Sequence, residues 1–163
     1  MSKKKTGKPY DAQFRKYVRH LCSELRIKFF AGEYNLDVCW CEDAPLAPGE
    51  VVDPTKIVLA TITLNPTYLD CTVHVHKAVW ELWKEDNLRE VARVLTHEFA
   101  HILIDPVYFE GAKGISKDRD ELYNEIRERQ VQRAANVVFD LLPEKFWNNK
   151  NGYASIKNKR RRK

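Results

Sequence analysis

No apolar run in the 163-residue sequence approaches the roughly 20 residues a helix needs to cross a bilayer. This argues against a membrane partner. No apolar stretch follows the basic start "MSKKKTGKPYD", so it does not read as a secretory signal, and a cytoplasmic protein is expected. Cysteine is scarce: Cys22, Cys39, Cys41 and Cys71, with no C-x-x-C pair. A disulfide framework is therefore not expected. Cys39 and Cys41 share a face of an expected strand and should be core thiols, a second metal site there being the alternative. Acidic residues are missing from both ends. Four lysines lie in the first nine residues and seven basic residues in the last fourteen. Setting these aside turns the formal charge of +5 into 17 basic against 23 acidic side chains, an acidic body between two basic segments. Such segments can contact nucleic acid or another polyanion, or serve only solubility.

What remains is ordinary for one globular domain: 44% apolar and 31% charged residues. The expected organisation is a basic disordered tail over 1–9, a single domain over 10–148 and a second basic disordered tail over 149–163. No internal repeat is visible. Phe14, Val18, Leu21, Cys22 and Leu25 recur on one face of a helix within 11–30. "YNLDVCWC" (34–41), "KIVLATITL" (56–64) and "CTVHVH" (71–76) read as strands. A Pro-rich loop and a short turn separate them, and short connections favour antiparallel neighbours. Asn87 and Glu90 form a capping pair that opens a helix expected to end near Asp105–Pro106. A glycine-containing loop (105–116) follows. Asp118 and Glu121 would cap a last helix running to about Leu142, before Pro143. The fold class expected is α+β.

One stretch carries chemistry. "LTHEFAHILI" (95–104) places His97, Glu98 and His101 inside an otherwise apolar helix. Buried polar groups must be bonded, paired or metal-bound. Residues four apart share a helix face, so His97 and His101 can reach one metal ion. Glu98 is rotated about 100° from His97, close to the ion without aiming at it. This is the HExxH pattern of a Zn²⁺ site with a general base beside it. Val91, Leu95, Phe99 and Ile102 form the apolar stripe that would dock the helix. The alternative is a core helix with two hydrogen-bonded histidines.

The stretch Val91–Ile104, the strands before it and the Glu-rich helix after it resemble the zincin metallopeptidases. More narrowly, they resemble small gluzincins such as the minigluzincins and ImmA/IrrE-type proteins. The resemblance covers roughly residues 56–142. It implies a zincin-like domain; together with the N-terminal helix read from periodicity, which lies outside the resemblance, the expected architecture is that helix, a three-stranded, mostly antiparallel sheet, the HExxH helix and a long Glu-bearing helix. It also implies a third metal ligand on that last helix. No histidine follows His101, so a downstream histidine ligand is excluded and the ligand must be a carboxylate. Glu121, Glu125 and Glu128 are the candidates. The apolar stripe through Val131, Ala135, Val138 and Leu142 leads back to Glu128 first. Glu125 lies on the flank of that face, and Glu121 already has a capping role.

Related gluzincins often carry an aspartate four residues past this ligand. Here the position is Gln132, so support for a histidine is sought elsewhere, with Asp105 the candidate. The implied activity is hydrolysis of a peptide or protein substrate by water at zinc, with Glu98 as general base. Oxyanion donors are sought among Tyr108, Tyr123, His74 and His76. The strand 71–76, with Val73 and Val75 inward, is implied as a substrate-binding edge. The competing reading is a non-catalytic module that keeps zinc structurally and contacts nucleic acid or a protein through its basic tails.

Overall fold

The computed structural model describes residues 11–29, 31–42, 59–65, 67–112 and 120–148. The two basic tails and most of the Pro-rich loop lie outside them. The elements are α1 (Ala12–Lys28), β1 (Asn35–Cys41), β2 (Ala60–Asn65), β3 (Asp70–His76), α2 (Lys77–Lys84), α3 (Leu88–Ala112), α4 (Asp120–Asp140) and α5 (Lys145–Asn148). The fold is α+β. No described helix is long and apolar enough to cross a membrane.

α1 begins where Asp11 accepts the Phe14 backbone N–H at 2.6 Å, an ordinary N-cap. Its expected apolar face is fully buried at Phe14, Val18, Leu21, Cys22 and Leu25. Each such side chain contributes about 1.5–3 kcal/mol through burial. The face joins Val38, Val73, Val75 and Ala60 of the sheet and Val91, Leu95 and Phe99 of α3 in one core. Tyr17 ties the first helix to the last: its hydroxyl donates to the Phe146 carbonyl at 2.8 Å.

The sheet departs from expectation. Its order is β1-β3-β2, with β1 parallel and β2 antiparallel to β3. It is mixed, not mostly antiparallel. Only four residues separate β2 from β3, which favours antiparallel neighbours, but the long connection from β1 to β2 imposes no direction on β1. Leu69 closes the short turn in the left-handed region at φ 51°. Strand 71–76 is consequently central, paired on both sides. Among the described residues, the edges are β1 and β2.

Val73 and Val75 do point inward and are fully buried. Cys39 and Cys41 lie on the opposite face, in register with His74 and His76, and are only half-buried. They are not core thiols; Cys22 and Cys71 are the buried ones. Cys41 Sγ lies 3.9 Å from His74 Nδ1, but no third donor joins them at metal-sharing distance among the described residues.

α2 has no counterpart in the sequence reading. His76 caps it, Nδ1 accepting the Ala78 N–H at 3.2 Å. Asp86, at φ 63°, ends the turn after it, a conformation aspartate tolerates better than most residues. Asn87 then caps α3, as expected, accepting from Glu90 N at 3.4 Å. α3 does not stop at Pro106. It continues to Ala112 with the proline inside it. Packing against α4 outweighs the local cost of proline, about 3 kcal/mol: Tyr108 and Tyr123 rings meet at 5.1 Å. Residues 105–112 are thus helix and not loop. The capping role expected of Asp118 falls outside the described residues.

Candidate metal centre

α3 and α4 run antiparallel. Contacts pair His97 with Gln132, Asp105 with Arg127 and Tyr108 with Tyr123, one number rising as the other falls. The buried stripe Val91, Leu95, Phe99 and Ile102 fixes the rotation of α3. Val131, Ala135, Phe139 and Leu142 do the same for the segment around α4. That leaves His97 and His101 on the face of α3 that meets Glu128.

Glu128 Oε2 lies 3.5 Å from His97 Nε2 and 3.9 Å from His101 Nε2. Among the described residues, these three form the one group whose donor atoms all lie within 4.8 Å of one another. Ligands about 2.0–2.1 Å from a tetrahedral ion are roughly 3.4 Å apart. The three groups are therefore close enough to hold a metal ion.

The outer ring nitrogens are also engaged. His101 Nδ1 lies 3.0 Å from Asp105 Oδ1. A carboxylate only accepts, so that nitrogen carries the proton and Nε2 keeps its lone pair. His97 Nδ1 lies 3.2 Å from Gln132 Oε1. The amide is oriented by its other end, since Gln132 Nε2 donates to Asn136 Oδ1 at 2.9 Å. With Nδ1 facing Gln132, it is His97 Nε2 that carries the proton shared with Glu128 in the metal-free site, and this nitrogen can take an ion once that proton leaves. Asp105, the candidate for support of a histidine, lies against His101. Gln132, noted in the sequence only as a departure, does the same work for His97.

The chain matches no family model, no curated protein and no solved structure. What can be said of the site rests on its own geometry.

A cleft of about 640 Å³ opens over the three groups. Ala60, Thr61 and Ile62 of the edge strand β2 form one wall, and Glu98, Asp105 and Arg127 lie on the helical side. A neighbouring hollow of about 330 Å³, reaching Leu59 and Val94, shares Ala60, His97 and Glu98 with it. Burial pushes the Glu98 carboxyl up to about 7, the nearby imidazoles only partly opposing it. The hydrogen bond with His97, helped by Arg127, holds Glu128 down to about 2 against the effect of burial. The same bond raises His97.

The remaining candidates stand apart. Glu125 is exposed and bonded to Arg129 at 2.6 Å. Glu121 is exposed. The Tyr123 hydroxyl donates to the Tyr108 carbonyl at 2.8 Å, and neither tyrosine is among the described residues lining the cleft. His74 is on the central strand beside Cys41, and it does not line the cleft either. Arg127 was missed by sequence reasoning. It donates to Glu128 Oε1 at 2.8 Å and lies 3.7 Å from Asp105 Oδ1. Its place beside Glu128 in the chain gives no signal, because adjacent helical residues point about 100° apart.

Proposed function

We propose that this protein is a small zinc-dependent peptidase with a zincin-like domain, acting on peptide or protein substrates. The observation that carries the reading is the position of Glu98. This carboxylate lines the same cleft as His97, His101 and Glu128, next in sequence to a candidate ligand. An ion that served only stability would need no such group.

Two imidazole nitrogens and one carboxylate oxygen suit zinc. Magnesium and calcium favour oxygen donors throughout. A zinc ion held by His97, His101 and Glu128 would supply Lewis acidity, lowering the pKa of water and polarising an amide carbonyl. Glu98 would accept a proton from the attacking water and deliver it to the departing nitrogen. Burial raises the Glu98 carboxyl in the metal-free chain; a bound dication would draw it back toward the carboxylate form that a general base needs.

Extended substrates pair with exposed strand edges. β2 is such an edge and borders the cleft, which favours it over β3 for that role. Cys22, Cys39, Cys41 and Cys71 are thiols rather than disulfides, which accords with the proposed setting, a reducing cytoplasm.

The test combines elemental analysis with a peptide-substrate screen after zinc loading and dialysis. One zinc per wild-type chain with hydrolysis is expected. Glu98→Gln should keep the zinc and lose at least about 100-fold in rate. A Glu98→Gln chain that hydrolyses peptides normally would end the reading.

A further inference from the structure

Arg127 touches the metal centre without offering it a donor atom. Its Nη2 donates to Glu128 Oε1 at 2.8 Å. Its Nε lies 3.7 Å from Asp105 Oδ1. That Asp105 oxygen is also the atom facing His101 Nδ1 at 3.0 Å. The guanidinium therefore joins a carboxylate of α4 to the group on α3 that orients a histidine. Glu128 is divided between two directions. Its Oε1 is occupied by Arg127, and its Oε2 faces His97 and His101 at 3.5 and 3.9 Å. The Arg127 side chain is 22% exposed, that of Asp105 15% and that of Glu128 44%, so the guanidinium is sheltered on the Asp105 side and its bond to Glu128 is partly open to solvent.

We infer that Arg127 is the positioning residue of the metal centre: it holds Glu128 Oε1, turns Oε2 toward the two histidines and ties Glu128 to Asp105 across the helix pair. The inference rests on the metal-site reading above. The planar guanidinium fits this task, because it donates directionally to Glu128 while its charge lies beside Asp105; an ammonium supplies a point charge without the planar donor set.

The sign of the effect separates positioning from plain electrostatics. A guanidinium near a dication repels it. If Arg127 mattered only as a charge, removing it would tighten metal binding. If it positions Glu128, removing it frees the carboxylate to rotate, and binding weakens. Groups that orient ligands typically change affinity by about 10–100-fold when lost.

The experiment measures Zn²⁺ affinity of the full chain by competition with a chromophoric chelator, and the visible spectrum of its Co²⁺ form. Arg127→Met should bind Zn²⁺ at least about 10-fold more weakly than wild type and show an altered Co²⁺ spectrum. Arg127→Lys, which restores charge without the planar donor set, should recover only part of the affinity. Far-UV circular dichroism of the metal-free chains checks folding, and Arg127→Gln replaces the methionine variant if that one does not fold. Unchanged or tighter binding by a folded Arg127→Met chain, with an unaltered spectrum, would overturn the inference and leave the metal site standing. A wild-type chain that binds no Zn²⁺ would remove the metal site and this inference together.

Discussion

Gln132 Oε1 lies 3.2 Å from His97 Nδ1, one helical turn along α4 from Glu128. A neutral amide thus supports one histidine while a carboxylate, Asp105, supports the other. The arrangement keeps one negative charge fewer around the site than two carboxylates would. Gln132→Leu removes the acceptor and frees the ring of His97 to turn. Zinc affinity should fall by about 10-fold or more, measured by chelator competition at fixed pH. Equal affinity in the variant would show that packing alone orients His97.

Glu128 and Glu125 are one turn-fraction apart on α4, yet they face different surroundings. Glu128 meets the histidines; Glu125 meets Arg129 in solvent. Glu128→Ala should abolish stoichiometric zinc binding, whereas Glu125→Ala should retain it with stability changed by less than about 0.5 kcal/mol, as for an exposed pair. Zinc analysis of the two variants side by side checks this. Retention by Glu128→Ala would remove that residue from the ligand set.

Burial holds Glu98 near 7, against 4.5 for an ordinary glutamate. Between these values the folded, metal-free chain binds more protons than the unfolded one. The contribution to stability is therefore complete below about 4.5 and is lost as pH rises through about 7. Glu128 has the opposite sign. It titrates near 2 when folded, so its contribution is present above about 4.5 and is lost as pH falls toward 2. Urea unfolding of the chelator-treated chain should show a midpoint that declines from pH 5 to pH 8. Glu98→Gln should flatten that decline and leave the acid side unchanged. An identical slope in the variant would assign the decline to His97, whose raised titration acts in the same direction.

Tyr17 is fully buried and donates to the Phe146 carbonyl. Tyr17→Phe keeps the ring contact with Trp83 at 4.8 Å and deletes the donor. A loss of about 1 kcal/mol is expected in equilibrium unfolding, somewhat more if the carbonyl stays dry. No loss would mean that water reaches the junction of α1 and α5.

The parts of this molecule legible in its sequence are those governed by period and by neighbours four apart. Phe14 to Leu25, Val91 to Ile102 and the pair His97–His101 follow from helix geometry alone. Glu128 followed from the stripe that continues through Val131. Strand order did not, because alternation tells which residues share a face and says nothing of which strand lies beside it. Alternation puts Cys39 and Cys41 on one face together, but it does not say that this face is turned away from the core. Pro106 is a local stop signal that α3 nevertheless passes, where it packs along α4. Gln132 and Arg127 escaped because their roles depend on the side chains opposite them across the helix pair.

The three candidate ligands are divided between α3 and α4, and no single helix can assemble them. Any ion they hold is then a cross-link between two segments of chain 27 positions apart at their closest ligands, His101 and Glu128. Ion binding and helix docking become one equilibrium. If an ion binds, its free concentration would act as a thermodynamic lever on folding, adding stability with the logarithm of its ratio to the dissociation constant, and a scarcity of metal would be felt first as a loosening of this helix pair.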